Sequence, residues 1–343
     1  MITSQKEQGL PYPEIMQEGH TIVNVMMTSA GRRVTLLNAF KVAANGRGGR
    51  LFAGDMDALA PTLYLADVPV RLPRVTSDDY IPTLLDIVKA NGISLIVPTI
   101  DTELLPLSRN SSLFAAAGCL ALVSSPELVR VCADKWETVR WFREHGFSVP
   151  KSWLPEDVRS IMLPRSLFVK PRDGSASQNA FRIDRDSLAD MLRRVPNPII
   201  QEELIGAEVT VDLLLDFRGR LLHYVPRLRV RTVGGESVQG VTVSDPAVSK
   251  WTCEVAEGVA SLGGIGPITI QGFITSHGPV LTEINPRFGG GIPLTLAAGG
   301  LYPQWLISMA SGEEVAPCVG HYRTNLYMTR YYSEIITSEP LWT

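Results

Sequence analysis

Sulfur and imidazole are scarce in this chain, and neither is clustered. The four cysteines (Cys119, Cys132, Cys253, Cys318) are far apart with no CxxC pair, which excludes a zinc ribbon, a thiol redox motif and a disulfide scaffold as organising features. They read as reduced core thiols of a cytoplasmic protein. The five histidines form no HxH or HExxH pattern, so each reads as a solitary surface or hydrogen-bonded residue and not as a zinc ligand. A strong charge of either sign is missing too. With 32 Lys and Arg against 35 Asp and Glu, the net charge is −3, which leaves no electrostatic footprint for nucleic acid or an anionic membrane. No apolar run approaches the ~20 residues of a membrane span. Residues 1–20 are polar with two prolines and lack the shape of a secretion signal, so they read as a flexible extension outside the fold. There is no GxxxxGK[ST] phosphate loop, no internal repeat and no low-complexity segment.

What is present is ordinary globular material. The 343 residues are 45% hydrophobic and 20% charged, enough for two or three domains. The first third alternates strand and helix: strands at 21–27, 51–54, 68–72, 93–98 and 120–123, helices at 32–44, 78–91 and 101–117. That order predicts an open, mostly parallel sheet. The turn Ser29-Ala30-Gly31-Arg32-Arg33 has one glycine where a dinucleotide fingerprint needs three, which argues against a nicotinamide-dependent oxidoreductase. A helix start with arginines still suits an anionic group. The turn Thr99-Ile100-Asp101-Thr102-Glu103 follows a strand, where such sheets place ligands. A solvent-facing helix cap would use the same residues.

From Pro126 the pattern changes. Helices at 127–146 contain Asp134-Lys135. The strand at 166–170 ends in Lys170 and runs into Pro171-Arg172-Asp173-Gly174-Ser175-Ala176-Ser177, a small-residue loop able to lay backbone N–H groups over phosphates. Strands at 199–204, 209–217 and 221–233 follow. The last holds Arg227, Arg229 and Arg231 at period two, predicting one face, either turned to an anion or guarding a sheet edge. A helix at 249–261 and a strand at 267–274 lead to Gln271-Gly272-Phe273 and on to Glu283 and Asn285, which lie two apart on extended backbone and face one side. Pro286 ends that strand and leaves Arg287 and the glycines at 289–291 in a loop. A carboxylate and an amide oxygen beside a guanidinium suit Mg²⁺ carrying a polyphosphate, although a hairpin with a polar end would present the same residues. A helix at 294–311 and a terminal strand at 323–336 complete the chain.

Taken in order, Asp134-Lys135, Phe168-Val169-Lys170-Pro171 with its glycine-serine loop, Gln201-Glu202-Glu203-Leu204 with Gly206-Ala207-Glu208, and Glu283-Ile284-Asn285-Pro286-Arg287 resemble the ATP-grasp superfamily. Within it the likeness is to the synthetase domain of the carbamoyl phosphate synthetase large subunit, over roughly 22–310. The resemblance implies an α/β fold: an N-terminal open parallel-sheet (pre-ATP-grasp, Rossmann-like) domain, then an ATP-grasp fold of two α+β subdomains with ATP between them. The implied limits are 1–20 for the extension, 21–125 for the first domain, 126–205 for a lid or small subdomain and 206–343 for the subdomain with the metal site.

The resemblance also implies roles. Lys135 and Lys170 hold ATP phosphates, and Ser175 and Ser177 belong to the loop that closes over them. Glu202, Glu203 and Ile205 form the hinge at the adenine edge, and Glu208 accepts from the ribose hydroxyls. Gln271, Glu283 and Asn285 bind Mg²⁺ or Mn²⁺, with Gln271 a neutral ligand. Arg287, Lys170 and Arg229 are the implied catalytic residues, Arg287 touching a phosphate or acyl phosphate. Which of Arg227, Arg229 and Arg231 points inward is left open.

The implied chemistry is phosphorylation of a carboxylate by ATP and attack of an amine on the acyl phosphate, releasing ADP and phosphate. With one synthetase unit in place of two, a stand-alone carboxylate–amine ligase is expected rather than complete carbamoyl phosphate synthesis. Its expected partners are small-molecule acids and amines, an amino acid among them, with no nucleic acid and no membrane; a homodimer is the assembly that relatives suggest. Two alternatives stay open: phosphorylation of a small carboxylate or carbamate, and a catalytically silent ATP-binding partner protein.

Overall fold

Apolar strands flanked by amphipathic helices build the first sheet. The computed structural model describes residues 22–159, 161–174 and 179–342. In chain order, β1 (Asn24–Thr28), α1 (Val34–Asn45), β2 (Leu51–Asp55), α2 (Pro61–Leu65), β3 (Val68–Arg71), α3 (Tyr80–Asn91), β4 (Ile93–Pro98), α4 (Leu104–Arg109), α5 (Ser111–Ala116) and β5 (Leu120–Ala121) form the N-terminal part. Its five strands are parallel in the order β3-β2-β1-β4-β5. β1 and β4 are almost continuously apolar because helices cover both faces. Helix α1 buries Leu36, Leu37, Phe40 and Ala44, the spacing of a single stripe. Helix α3 stops where Gly92 turns left-handed at φ 57°. The order of strand addition reverses at β1, with β2 on one side and β4 on the other, so the loops after β1 and β4, 29–33 and 99–103, meet at the carboxyl edge of the sheet.

Two helices then cross to the second half. Ser125 caps α6 (Pro126–Ala133), its Oγ accepting from the Leu128 N–H at 3.1 Å. Asp134 caps α7 (Lys135–Glu144) by accepting from the Trp136 N–H at 2.9 Å. Strands β6 (Ser152–Trp153), β7 (Ser166–Pro171) and β8 (Phe181–Asp184), helix α8 (Leu188–Arg194) and β9 (Pro198–Glu202) follow, giving a four-stranded antiparallel sheet in the order β6-β9-β7-β8. The last part holds β10 (Ala207–Leu215), β11 (Leu221–Val233), β12 (Glu236–Thr242), α9 (Pro246–Ser261), β13 (Gly266–Thr275), β14 (Gly278–Asn285), α10 (Ile292–Ala297), α11 (Tyr302–Ala310) and β15 (Tyr327–Thr329). Its six strands are antiparallel, in the order β14-β13-β10-β11-β12-β15.

The large sheet is buried on both faces, and strand alternation assigns them. Val209, Val211, Leu213 and Leu215 of β10 pack with Ile268 and Ile270 against α9 and against Leu128 and Phe142 of α6 and α7. The helices of 126–144 therefore belong to the core of the six-stranded sheet, not to the small subdomain in which 126–205 was expected. On the opposite face, Leu214 joins Leu222, Phe288, Tyr302, Leu306 and Ile307 in the core beneath α1.

Several expectations are corrected. The helix expected over 294–311 is two helices, broken where Gly299 takes φ 109°. The helix expected at 101–117 opens as a short 3-10 turn and then breaks at Asn110, between α4 and α5. Only 327–329 of the terminal stretch pairs as strand, and β12 was not foreseen. The arginine row is interrupted because the β11/β12 register shifts between Arg229 and Arg231, and a bulge ends strict alternation. Among the described residues, no helix is long and apolar enough to cross a membrane.

Candidate active site

A cleft of about 450 Å³ lies between the four-stranded and six-stranded sheets. Its floor is set by register. Cross-strand neighbours share a face, and three rows run across the large sheet: Arg229 beside Glu208 beside Phe273; Arg227 beside Thr210 beside Gln271 beside Glu283; and Asp212 beside Thr269 beside Asn285. The register of β14 shifts at Gln271/Gly272, which leaves both Thr282 and Glu283 lining the cleft. A bulge beside a site re-aims side chains in this way.

The opposite wall comes from β7 and β9. Phe168 and Lys170, two apart on β7, both line the cleft. The Lys170 side chain is 8% exposed and has no carboxylate within 4.0 Å among the described residues. Burial pulls its ammonium down to about 8; the charges of Glu283 and Glu208 offset part of that, and Lys135 adds to it. Lys135 reaches the same space from the start of α7, its Nζ donating to the Gly174 carbonyl at 2.8 Å.

The remaining expected residues are placed as follows. Glu202 lines the cleft with one carboxylate oxygen accepting from the Lys151 N–H at 2.8 Å. Glu203 also lines it and is paired with Arg182 at 2.6 Å. Glu208 holds the Arg229 guanidinium, so an incoming ribose would share that carboxylate with an arginine. Of the three arginines, Arg229 lines the cleft, Arg231 is exposed, and Arg227 is 3% exposed and paired with the buried Asp212 at 3.3 Å. Ile205 is 81% exposed and its side chain does not line the cleft. Ser175 and Ser177 lie outside the described residues.

Asn285 and Arg287 sit past the end of the cleft and connect it to the first domain. Asn285 Nδ2 donates to Glu283 Oε1 at 3.2 Å, and Arg287 Nη2 donates to Asn285 Oδ1 at 3.2 Å. Arg287 then forms a two-bond ion pair with Asp101, Nε to Oδ1 at 2.9 Å and Nη2 to Oδ2 at 2.7 Å. Arg33 reinforces the junction by donating to the carbonyls of Thr99 (3.1 Å), Phe288 (3.2 Å) and Gly289 (2.9 Å). The anion site anticipated at the start of α1 is thus occupied from within: Arg33 holds carbonyls, and the Gly31 N–H donates to Asp55 at 2.9 Å. Below the junction, fully buried Glu103 accepts from Ser29 Oγ, Tyr80 Oη and the Thr99 and Ile100 N–H groups.

Phe273, Thr282, Thr232 and Arg182 also line the cleft and were not singled out from sequence. Phe273 shares the parity of Gln271 on one strand, a signal that could have found it. Asp101 lay in a turn already noted, but its partner is 186 residues away.

Metal binding can be tested on the donor set. No group of three or more His, Cys, Asp or Glu side chains able to hold a metal occurs among the described residues. Glu283 with the amide side chains of Gln271 and Asn285 is too sparse for an all-protein cage. It fits Mg²⁺, which uses one or two carboxylates and completes its shell with substrate phosphates and water.

Comparison with known proteins agrees with this architecture. Residues 25–122 match a family model described as PylC-like, N-terminal domain, and residues 194–330 match one described as ATP-grasp in the biosynthetic pathway with Ter operon. A D-alanine–D-alanine ligase from Corynebacterium jeikeium is 28% identical over 185 residues, 46% of this chain and 49% of that protein. The chain spans about half the length of the curated relatives it matches. Among solved structures, N5-carboxyaminoimidazole synthetase from Staphylococcus aureus complexed with ADP has a TM-score of 0.71 at 13% identity, covering 88% of this chain and 80% of that one. The L-amino acid ligase from Bacillus licheniformis has a TM-score of 0.66 at 16% identity, covering 84% and 74%. Residues 194–330 carry the ATP-grasp family match, and the chain as a whole shares the fold of ATP-grasp ligases.

Proposed function

We propose that this protein is an ATP- and Mg²⁺-dependent ligase that activates a carboxylate as an acyl phosphate and joins it to an amine, releasing ADP and phosphate. The observation that carries this reading is Lys170. A buried ammonium with no carboxylate within 4.0 Å among the described residues, facing the row of Gln271 and Glu283 across a cleft, is stabilised by an anion placed between them. The similarity to ligases that join amino acids supports the same reading.

ATP enters between the two sheets with its phosphates toward Lys170 and Lys135 and its base toward Glu202 and Glu203. Glu283, Gln271 and Asn285 are the residues that would hold Mg²⁺, which when bound neutralises phosphate charge. A carboxylate oxygen of the acid substrate attacks the γ-phosphorus, and ADP leaves. The amine then attacks the acyl carbon, loses a proton, and phosphate leaves. The protein contributes alignment and charge neutralisation of the transferring phosphoryl by Lys170 and Arg229. Burial between the sheets excludes water from the acyl phosphate.

The test is a product assay on the full chain with pooled carboxylic acids and amines. Formation of ADP and phosphate that depends on Mg²⁺ and on an added acid supports the ligase. Formation of AMP rejects it in favour of a different activation chemistry, and tight ATP binding with no turnover across the panel rejects it in favour of a silent ATP-binding protein.

A further inference from the structure

The bond between Asp101 and Arg287 has an unusual placement. Arg287 leaves the strand that carries Glu283 and Asn285, while Asp101 comes from the turn after β4 in the first domain. The pair sits at the carboxyl edge of the parallel sheet, at the β1/β4 switch point where such sheets bind small molecules. It is the open end of a continuous chain of contacts from Glu283 through Asn285 to Arg287. Of the two side chains, Asp101 is the more accessible, 37% exposed against 12% for Arg287. Cys132, at the end of α6, marks how near Asp101 lies to Glu283: its thiol is raised by burial first, then by the charges of both carboxylates.

On the ligase reading the acid substrate brings its carboxylate to the Glu283–Asn285 end of the cleft, which presents the Arg287 guanidinium to it. That face of Arg287 is held by Asp101 through two charge-assisted bonds, the geometry in which guanidinium recognises a carboxylate. Asp101 therefore stands where a substrate carboxylate would stand. Displacing it leaves a carboxylate beside the mouth with its cation taken, which is costly at a partly desolvated site. Arg33, the neighbouring guanidinium, is directed at three backbone carbonyls. A substrate carrying its own cation next to its carboxylate resolves the mismatch: its carboxylate takes Arg287 and its ammonium takes Asp101.

We infer that Asp101 is a specificity-determining residue that selects an acid substrate bearing an amino group close to the carboxylate, an α- or β-amino acid. This rests on the ligase reading for the site but concerns a different residue and a different observable. Asp101 and Arg287 form one zwitterion receptor, closed on itself until a zwitterion exchanges with it.

The experiment compares amino acids with their des-amino and 2-hydroxy counterparts on the full chain. Affinities are measured by calorimetry and, where ADP forms, KM and kcat are measured as well. The native protein is expected to favour each accepted amino acid over its des-amino partner. Asp101→Asn is expected to raise KM or Kd for the amino acid by ~10-fold or more, the size of a lost charge-assisted hydrogen bond, while the des-amino acid binds as well as before or more tightly, because no carboxylate then competes for Arg287. Asp101→Glu is expected to restore part of the preference. Thermal melts of both variants separate this from loss of the domain contact. Equal losses for amino and des-amino acids, or a native protein that binds them equally, overturn the proposal. Absence of ADP formation alone rejects the ligase reading, while the calorimetric preference still decides this one.

Discussion

Gln271 lies directly opposite Glu283 in the β13/β14 ladder, and both line the cleft. A neutral amide thus stands beside the one carboxylate of the candidate metal site. Glu283→Ala is expected to lower ADP formation by ~100-fold or more, as for losing a preorganised electrostatic contact, with the melting temperature nearly unchanged because the side chain is not in the core. Gln271→Glu adds a second hard anionic ligand and is expected to lower the Mg²⁺ concentration for half-maximal ADP formation. A Mg²⁺ titration of the three proteins checks both; an unaltered rate in Glu283→Ala would exclude the metal assignment.

Lys170 predicts a pH dependence. Burial lowers its folded-state value from 10.5 to about 8. The folded chain then binds fewer protons than the unfolded chain between those values, so stability rises with pH across that window, and below it the cost of the buried charge is fully present. ATP binding needs the charged form, so ATP affinity is expected to fall by up to ~10-fold per pH unit above about 8. Lys170→Met is expected to lose ATP binding without losing stability at neutral pH. Calorimetric titrations and thermal melts across this range test it; a flat affinity profile would remove Lys170 from the phosphate site.

Asp212 and Arg227 form a pair with both side chains 3% exposed. Asp212 also accepts from Thr269 Oγ1 at 2.9 Å and Thr295 Oγ1 at 2.7 Å. A Cβ on Gly291 would lie 2.1 Å from Arg227 Cζ, so the pair is the bed on which the glycine loop after Arg287 rests. Removing one partner, as in Arg227→Met, is expected to cost about 3–5 kcal/mol because it strands a buried charge. The double variant Asp212→Leu with Arg227→Met is expected to recover part of that loss. Urea denaturation measures both.

Glu103 is raised above its usual range, burial being the largest cause and the hydrogen bonds from Tyr80, Thr99 and Ile100 opposing it. With the folded value above the unfolded one, its stabilising contribution is present at low pH and is lost as pH rises through the folded value. Glu103→Gln keeps one acceptor for the Thr99 and Ile100 N–H groups and an amide for the hydroxyls of Ser29 and Tyr80. It is expected to be near neutral in stability and to flatten that pH slope. Glu103→Leu leaves those donors without acceptors and is expected to cost about 3 kcal/mol or more. Melts between acid and neutral pH distinguish the two variants.

Local pattern was enough for the parallel sheet, because β1, β4 and α1 announce themselves by runs and stripes of apolar residues. The resemblance, rather than local pattern, singled out Lys170, Glu208, Gln271 and Glu283, and the fold brings all four into the lining of one cleft. Local pattern failed where a contact or a break depends on distant residues. Arg227 looks like Arg229 in sequence, but Asp212 lies beside it only once β10 and β11 are paired, and the register shift that removes Arg231 leaves no trace in composition. β12, reading Glu-Ser-Val-Gln-Gly-Val-Thr, is too polar to declare itself without its neighbours. Helix 294–311 looked continuous because two glycines cost less in a periodic pattern than they do in a backbone that must turn.

The corner formed by Asp134 and Lys135 limits how the molecule can move. Asp134 caps a helix packed on the large sheet and also holds Arg172 through two bonds, at 3.1 and 2.5 Å. The Lys135 N–H donates to the Arg172 carbonyl at 2.9 Å, and its ammonium to that of Gly174. Both acceptors follow directly on β7 of the small sheet. These bonds tie the start of the small sheet's loop to a helix of the large sheet beside Lys135, so any relative motion of the two sheets is restrained at the phosphate end of the cleft.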